Sequence, residues 1–436
     1  MKKKIVTFIV TRVFWPSNSG SKVVLYNYCK GLYDLYGCEI NLFVFPEAGQ
    51  TYEKAIQSKP YFINNIVFAE EISLKNKIHN LVLKTLIHGF PLQCSLYYSS
   101  NNVEKIRNFI YSSTTDVLMI DKVRLAEYIK SLDREKYTTV LDFEDLMSKR
   151  YKRQIEELKY NKGNIAGVYA GNLPKFINKI IDNDILKRII LNFESNLMKK
   201  YELEISNYFD YSIFVSKIEA NEFKRAKTKS KVLSITMGIN SYFLKHKNSS
   251  VKKDNYISYI GNYNATANQD SIKVICEDIM PLILEKNPHV VLKAVGPCPN
   301  EIKNKYSSKH IYFTGEVDNI VTELGETNVF LGYIKYGTGI KTKILEASAI
   351  GLPVVTNSVG IEGIDLKDGE EIIVRDNLQD IADMVLKLLK DEKFSESVVS
   401  KARIKLEEEY KWENILQGFE EIIGGKMNEK SINNWD

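Results

Sequence analysis

The chain is poor in the residues that announce metal, redox or disulfide chemistry. Its 436 residues hold only five cysteines and five histidines. Cys29, Cys38, Cys94, Cys276 and Cys298 are odd in number, scattered and without a Cys-x-x-Cys pair, which reads as reduced thiols in a cytoplasmic protein with no structural zinc. His79, His88, His246, His289 and His310 stand in no catalytic spacing, and there is no Gly-x-Ser-x-Gly elbow. No apolar run is long enough to suggest a bilayer-spanning helix. Strong charge is lacking too: 60 basic against 55 acidic residues leave +5, without the basic excess of a nucleic-acid binder. Internal repeats and low-complexity tracts are absent.

What is present suits full-sized cores, with 44% hydrophobic and 26% charged residues. At about 100–200 residues per domain, the length predicts two or three domains, most simply two large ones. Met1-Lys2-Lys3-Lys4 followed by Ile5–Val10 imitates an export signal, but the apolar run is short and Arg12 closes it, so it reads as a first buried strand. Short β-branched runs alternate with amphipathic stretches, the pattern of βαβ units and helix-covered parallel sheets. One strand series is expected near Ile5–Thr11, Glu39–Phe45, Asp116–Ile120, Thr138–Asp142 and Tyr211–Val215. A second is expected near Asn255–Ile260, Val290–Val295, Ile311–Phe313, Val329–Tyr333, Val354–Thr356 and Glu371–Val374. The polar stretch 245–254 separates them as a linker.

The first series is interrupted at about 147–200 by a helix-rich insertion with twelve Lys/Arg against five Asp/Glu. Its basic residues interleave with Tyr151, Tyr169, Phe176, Ile180 and Ile189, which suits a face resting on anionic lipid and equally suits solvated helix faces over a core. After Asp376 the chain reads as helical through Ile423, and Gly424-Gly425 opens a polar tail, 425–436, expected to be disordered.

The strongest signal is Gly337-Thr338-Gly339-Ile340-Lys341-Thr342-Lys343-Ile344-Leu345-Glu346-Ala347, with Gly351-Leu352-Pro353-Val354-Val355 behind it. It follows a strand, so the glycines make a strand-to-helix turn where a ligand can approach bare backbone. The new helix points free N–H groups at that turn, a dipole end that favours phosphate. Lys343 and Glu346 share one helical face. A cation beside a diphosphate and a carboxylate one turn later, accepting from two ribose hydroxyls, divide the work of holding a sugar nucleotide. The same spacing also fits an ordinary solvent-facing Lys–Glu pair on a core helix. It is not a Walker loop, because no Gly-x4-Gly-Lys-Ser/Thr run occurs.

The stretch Tyr256–Ile423 resembles the donor-binding half of GT-B glycosyltransferases of the large retaining family four, the glycosyl transferases group 1. The G-x-G-x3-K-x2-E-A…G-x-P-V-V pattern carries the resemblance, joined by Gly261, Val295-Gly296, Thr314-Gly315-Glu316-Val317-Asp318 and Gly360-Ile361-Glu362-Gly363. The resemblance implies that Lys343 neutralises the diphosphate, Glu346 holds the ribose, and Gly315–Val317 meets the base through backbone. It extends the donor-binding set to Gly20, Gly261, Asn262, Gly315, Val317, Thr338, Gly339 and Ile340. Two places depart from the family pattern: Thr338 stands where many members carry a second glutamate, and Gly261-Asn262-Tyr263-Asn264 lacks the basic residue often found after the first donor-domain strand.

In the amino-terminal half, Arg12-Val13-Phe14-Trp15-Pro16-Ser17-Asn18-Ser19-Gly20 resembles the loop that faces the diphosphate in that family. Gly20 and the helix start would support the leaving phosphate, and Arg12, Phe14 and Trp15 would line the acceptor side. These aromatics also fit a packed turn. Asp121 stands where many relatives have a histidine near the anomeric carbon, and it suits either orientation or deprotonation of the acceptor hydroxyl, or the cap of a helix at Val123–Ile129. Asp142 and Asp145 belong to Leu141-Asp142-Phe143-Glu144-Asp145, which resembles an acceptor-side stretch of polysaccharide sugar transferases. Asp182-Asn183-Asp184 imitates the metal motif of the other glycosyltransferase fold, GT-A, but lies inside the helical insertion, and chance accounts for it better.

The expectation is therefore an α/β protein of GT-B type, two Rossmann-like doubly wound domains facing each other across a cleft. They would cover 1–244 and 255–410, with a helix at 411–424 crossing back to the first. The resemblance implies a hexosyltransferase moving sugar from a UDP- or GDP-linked donor to a glycan or lipid-linked acceptor. Retention of configuration without a metal or other cofactor is expected, in bacterial surface polysaccharide assembly at the inner face of the membrane. Asp121 and Lys343 would be the catalytic pair. Rival readings are a non-catalytic nucleotide-sugar-binding partner and a sugar-nucleotide epimerase of the same fold.

Overall fold

The computed structural model describes residues 3–17, 20–47, 49–160, 184–245, 253–337 and 339–427, which fall into two compact units. The first comprises residues up to Thr236 together with those from Leu416 onward, and the second spans Met237–Ile415.

The first unit is built on a seven-stranded sheet. In chain order its strands are β1 (Ile5–Val10), β2 (Glu39–Val44), β3 (Ile63–Phe68), β4 (Val117–Asp121), β5 (Thr138–Glu144), β6 (Tyr211–Phe214) and β7 (Lys231–Ser234). Their spatial order is β3-β2-β1-β4-β5-β6-β7 and every pairing is parallel, Ile9 lying opposite both Phe43 and Ile120. A parallel strand covered on both faces needs an unbroken apolar run, and Val6–Val10 is buried throughout. The sequence reading lacks β3 and β7. Both are edge strands, and their solvent side breaks the apolar run at Asn64-Asn65 and at Lys231.

The second unit holds six strands: β8 (Tyr256–Ile260), β9 (Val291–Val295), β10 (Ile311–Gly315), β11 (Val329–Gly332), β12 (Val354–Thr356) and β13 (Ile373–Val374). Their order is β10-β9-β8-β11-β12-β13, again all parallel. Each sheet thus grows outward from its first strand in both directions, which leaves a topological switch between β1 and β4 in one unit and between β8 and β11 in the other.

The structure moves the boundaries read from sequence at 244 and 411. Residues 237–245 belong to the second unit, because Leu244 is buried in its core and its carbonyl accepts from Arg403 Nη2 at 2.6 Å. At the far end Trp412 packs on Gly238 in the second unit. The first unit resumes at Leu416, whose carbonyl accepts from Tyr36 Oη at 2.7 Å, while Phe419 meets Tyr28 edge-on at 5.0 Å. Of the linker, 246–252 lies outside the described residues, and Lys253 is anchored by an ion pair to Glu326 at 2.9 Å. Of the tail expected to be disordered, Met427 is buried and 428–436 lies outside the described residues.

The helix-rich insertion is partly core. Its helices Met147–Tyr160 and Asp184–Ser206 pack together, and the second runs past the expected end at 200, burying Leu191, Met198, Tyr201 and Ile205. Residues 161–183 and the side chain of Asp184, hence the Asp182-Asn183-Asp184 motif, lie outside the described residues.

Candidate functional site

In the second unit the switch-point crevice is made by the ends of β8 and β11. A loop leaves β11 and reaches the Thr342–Ile350 helix through Gly337 (φ 148°) and Gly339 (φ 73°), backbone angles that side chains resist. It is tied down before the glycines: Lys335 N donates to Ser271 Oγ at 3.1 Å, and Tyr336 Oη to Asp270 at 2.6 Å. Ile334 exchanges bonds with the Asn357 side chain. The helix ends at Gly351 in the left-handed conformation, as its sequence suggests, and no side chain caps its first turn.

Lys343 leans across the switch point to the other wall. Its Nζ donates to Asn268 Oδ1 at 2.9 Å and Tyr259 Oη at 3.3 Å, and stands 4.6 Å from the centre of the Tyr259 ring. Tyr259 lies on β8, and Asn268 lies on the helix Thr266–Val274 that follows it. Burial pushes the Lys343 ammonium down to about 8, with Glu346 opposing the shift. Burial raises the Glu346 carboxyl against the pull of Lys343 and a hydrogen bond from Thr342. Lys341, two residues before Lys343, folds onto its own loop and donates to Gly339 O at 2.6 Å.

Around this pair the chain runs without side chains. Gly261 and Gly296 close the ends of β8 and β9, and a Cβ on Gly296 would collide with the Gly261 carbonyl. Gly315 (φ 78°) ends β10 and accepts from Gly296 N at 3.1 Å. Val317 and Ile340 are half-buried against the core that holds Ile344. Asn262 is exposed, and its carbonyl accepts from Asn268 Nδ2 at 3.0 Å. Asn268 therefore couples the β8 loop to Lys343. Sequence reasoning missed it, although its position in the first turn of the helix after the Gly261 loop is a usable signal. Thr338 lies outside the described residues.

The first unit's switch point is polar. Asp121 at the end of β4 is buried, and its Oδ2 accepts from Thr11 N at 3.3 Å and Thr11 Oγ1 at 2.9 Å, joining the ends of β1 and β4. This corrects the helix-cap reading: Lys122, not Asp121, precedes the 3₁₀ segment Val123–Ser131, and no side chain caps it. Lys122 and Glu144 both hold positive φ (70° and 60°) and form an ion pair at 2.7 Å across β4 and β5. Such angles are rare outside glycine and gather where function constrains backbone. Asp142 is buried, and burial followed by the nearby Asp121 charge raises its carboxyl well above the usual range. Asp145 is engaged by Arg150 Nε at 3.1 Å and Nη2 at 2.6 Å. Arg12 pairs with Glu47 at 3.2 Å. The open aromatic wall is a further correction. Phe14 and Trp15 are buried, stack edge-on at 5.2 Å, and Trp15 Nε1 donates to Ala55 O at 3.3 Å, because rings this large are more stable inside the core. Gly20 opens the Gly20–Asp34 helix with free space where a side chain would stand.

Comparison with known proteins bears on the fold and on the family that the second unit resembles. Residues 254–391 match the family described as glycosyl transferases group 1. A curated relative, an uncharacterized 44.6 kDa protein in the cps region of Klebsiella pneumoniae, is 23% identical over 202 residues, covering 44% of this chain. The chain spans about half the length of that relative, 50%. Among solved structures, sucrose-phosphate synthase from Thermosynechococcus elongatus matches with a TM-score of 0.63 at 13% identity, covering 96% of this chain and 98% of its own. HepE of Anabaena in complex with UDP matches at 0.63 and 12%, covering 97% and 99%. A variant of S. aureus TarM in complex with alpha-GlcNAc-glycerol and UDP matches at 0.61 and 12%, covering 97% and 100%. Residues 254–391 thus match a glycosyl transferases group 1 domain, and the chain has two parallel Rossmann-like sheets, the fold of its GT-B glycosyltransferase neighbours.

Proposed function

We propose that the chain transfers a hexosyl residue from a UDP- or GDP-linked donor to a hydroxyl of a glycan or lipid-linked acceptor, in bacterial surface polysaccharide assembly. The observation that carries this reading is the Lys343 ammonium held at the β8/β11 switch point by Asn268 and Tyr259, beside the uncapped first turn of its own helix. Such a place attracts a diphosphate, and Glu346 on the same helix face is positioned for the ribose hydroxyls. As the sugar departs, charge grows on the diphosphate, and a fixed ammonium with aligned amides stabilises it without reorganisation. The reading takes retention of configuration and no resident metal from the sequence resemblance. Asp121 orients the acceptor hydroxyl in this scheme. The cps-region relative and the UDP complexes of HepE and TarM support the setting and the donor class.

Calorimetric titration with UDP, GDP and ADP and with their sugars tests the proposal. One nucleotide diphosphate should bind and its sugar should be consumed only when an acceptor glycan is added. Absence of heat with all of them overturns it.

A further inference from the structure

The helical stretch Leu74–Asn80, continued by a π-helical segment Leu81–Ile87, is built inside out. Its buried positions are polar: Asn80 Nδ2 donates to Ser95 O at 3.1 Å and Tyr98 O at 2.8 Å, and Thr85 Oγ1 shares a hydrogen bond with Ser95 Oγ at 2.7 Å. Lys84 Nζ rests 3.5 Å above the Tyr98 ring. The outward face is apolar. Leu74, Ile78, Val82 and Leu86 recur every fourth residue, flanked by Leu83 and Ile87, and all are exposed, Leu86 by 72% and Ile87 by 63%. Burial of apolar area drives folding, so a stripe of this size facing water is a cost unless something apolar covers it.

A second helix extends the surface. Asp184–Ser206 is docked against the same region, since Glu194 accepts from Leu92 N and Gln93 N at 2.7 and 3.0 Å, and its outer turns expose Ile189 and Phe193. The segment that carries the stripe has charge of one sign. Between Glu71 and Glu104 there is no acidic residue, while Lys75 and Lys77 lie among the apolar positions.

We propose that this face docks on the surface of an anionic lipid bilayer. Apolar side chains enter the headgroup boundary while the lysines meet lipid phosphates, the arrangement of an interfacial amphipathic helix. A second copy of the chain is the poorer occupant, because it would set like charge against like. Among the described residues no helix is long and apolar enough to cross a membrane, so the contact lies on the surface. The surface belongs to the first unit and is independent of the nucleotide reading.

Vesicle flotation of the full chain tests the proposal. The protein should float with phosphatidylglycerol-rich vesicles and much less with pure phosphatidylcholine. The triple variant Ile78→Ser, Val82→Ser, Leu86→Ser should lose about tenfold or more in partitioning with its melting temperature retained, because the three sites are exposed. Lys75→Glu with Lys77→Glu should lose the preference for phosphatidylglycerol. As a second readout, Leu86→Trp should give emission quenched by brominated lipid, over the wild-type background. Failure of the wild type to float, unchanged partitioning of the triple variant, or a dimer that the triple variant dissolves while flotation is unaltered would each overturn it.

Discussion

Lys343 is the residue on which binding and stability oppose each other. In the free protein burial lowers its ammonium to about 8, whereas an unfolded lysine titrates near about 10.4. The unfolded chain therefore holds more protons between these values, and stability rises as pH climbs from 8 toward 10. Nucleotide binding needs the charged form and should weaken above pH 8. Titrations near that pH should show proton uptake, seen as a heat that varies with the buffer's ionisation enthalpy. Lys343→Met should abolish the uptake and weaken UDP or GDP binding by ~30–150-fold, the size of a lost charge-assisted contact of about 2–3 kcal/mol. The same variant should melt about 2–4 °C higher without ligand, since a half-buried charge is gone. Asn268→Ala should cost less, about tenfold, and shift the pH midpoint. The sequence made Lys343 and Glu346 legible, because a glycine turn and a helical spacing are local. Asn268 was not, since it meets Lys343 through a contact 75 positions away that only strand order creates.

Asp121 separates structure from chemistry by a simple substitution. Asp121→Asn keeps an acceptor for the Thr11 hydroxyl and should stay folded, whereas Asp121→Ala leaves two buried donors unpaired and should cost about 1–3 kcal/mol in denaturant titration. If Asn also abolishes sugar transfer, the carboxylate acts in the reaction. Retained transfer assigns it to joining β1 and β4.

At the scale of elements, the Asp184–Ser206 helix carries two buried carboxyls. Burial raises Glu194 to about 7 and Glu202 to about 8, although Glu194 accepts from the Leu92 and Gln93 amides and Glu202 from Ser148. Unfolded glutamate titrates near about 4.3, so the folded chain holds the extra protons between that value and 8. The stability they contribute is complete below about 4.3 and is lost as pH rises through 7 and 8. Melting temperature should fall between pH 5 and 8.5, and Glu202→Gln should flatten part of the fall. A slope unchanged in that variant would refute the assignment. Interior strands were readable because coverage on two faces demands uninterrupted apolar runs. The edges β3 and β7 were not, having one face to satisfy, and the inside-out Leu74–Ile87 stretch hides because its periodicity is helical whichever side points inward.

For the whole molecule, the two sheets share one construction, each growing both ways from its first strand, and the carboxyl ends at the resulting switch points hold both candidate clusters. Hydrogen exchange with and without a bound nucleotide should therefore protect 259–268 and 333–346 and leave β3 and β7 unchanged. The parallel α/β class followed from alternation, and its GT-B type from the resemblance. The boundaries did not, because polar composition marks where a chain is exposed and not where its contacts change partner.

The chain enters and leaves the second unit side by side: Ile239 is bridged to Lys411, and its amide donates to Tyr410 O at 2.7 Å. All the residues of that later-encoded body have been synthesised before Leu416 is added, whereas the earlier-encoded one still lacks Leu416 and Phe419, which fill the hollows beside Tyr36 and Tyr28. The order in which the two bodies receive their last residues thus inverts the order in which they are begun. A stop codon at 416 should release an intact second body attached to an unfinished first.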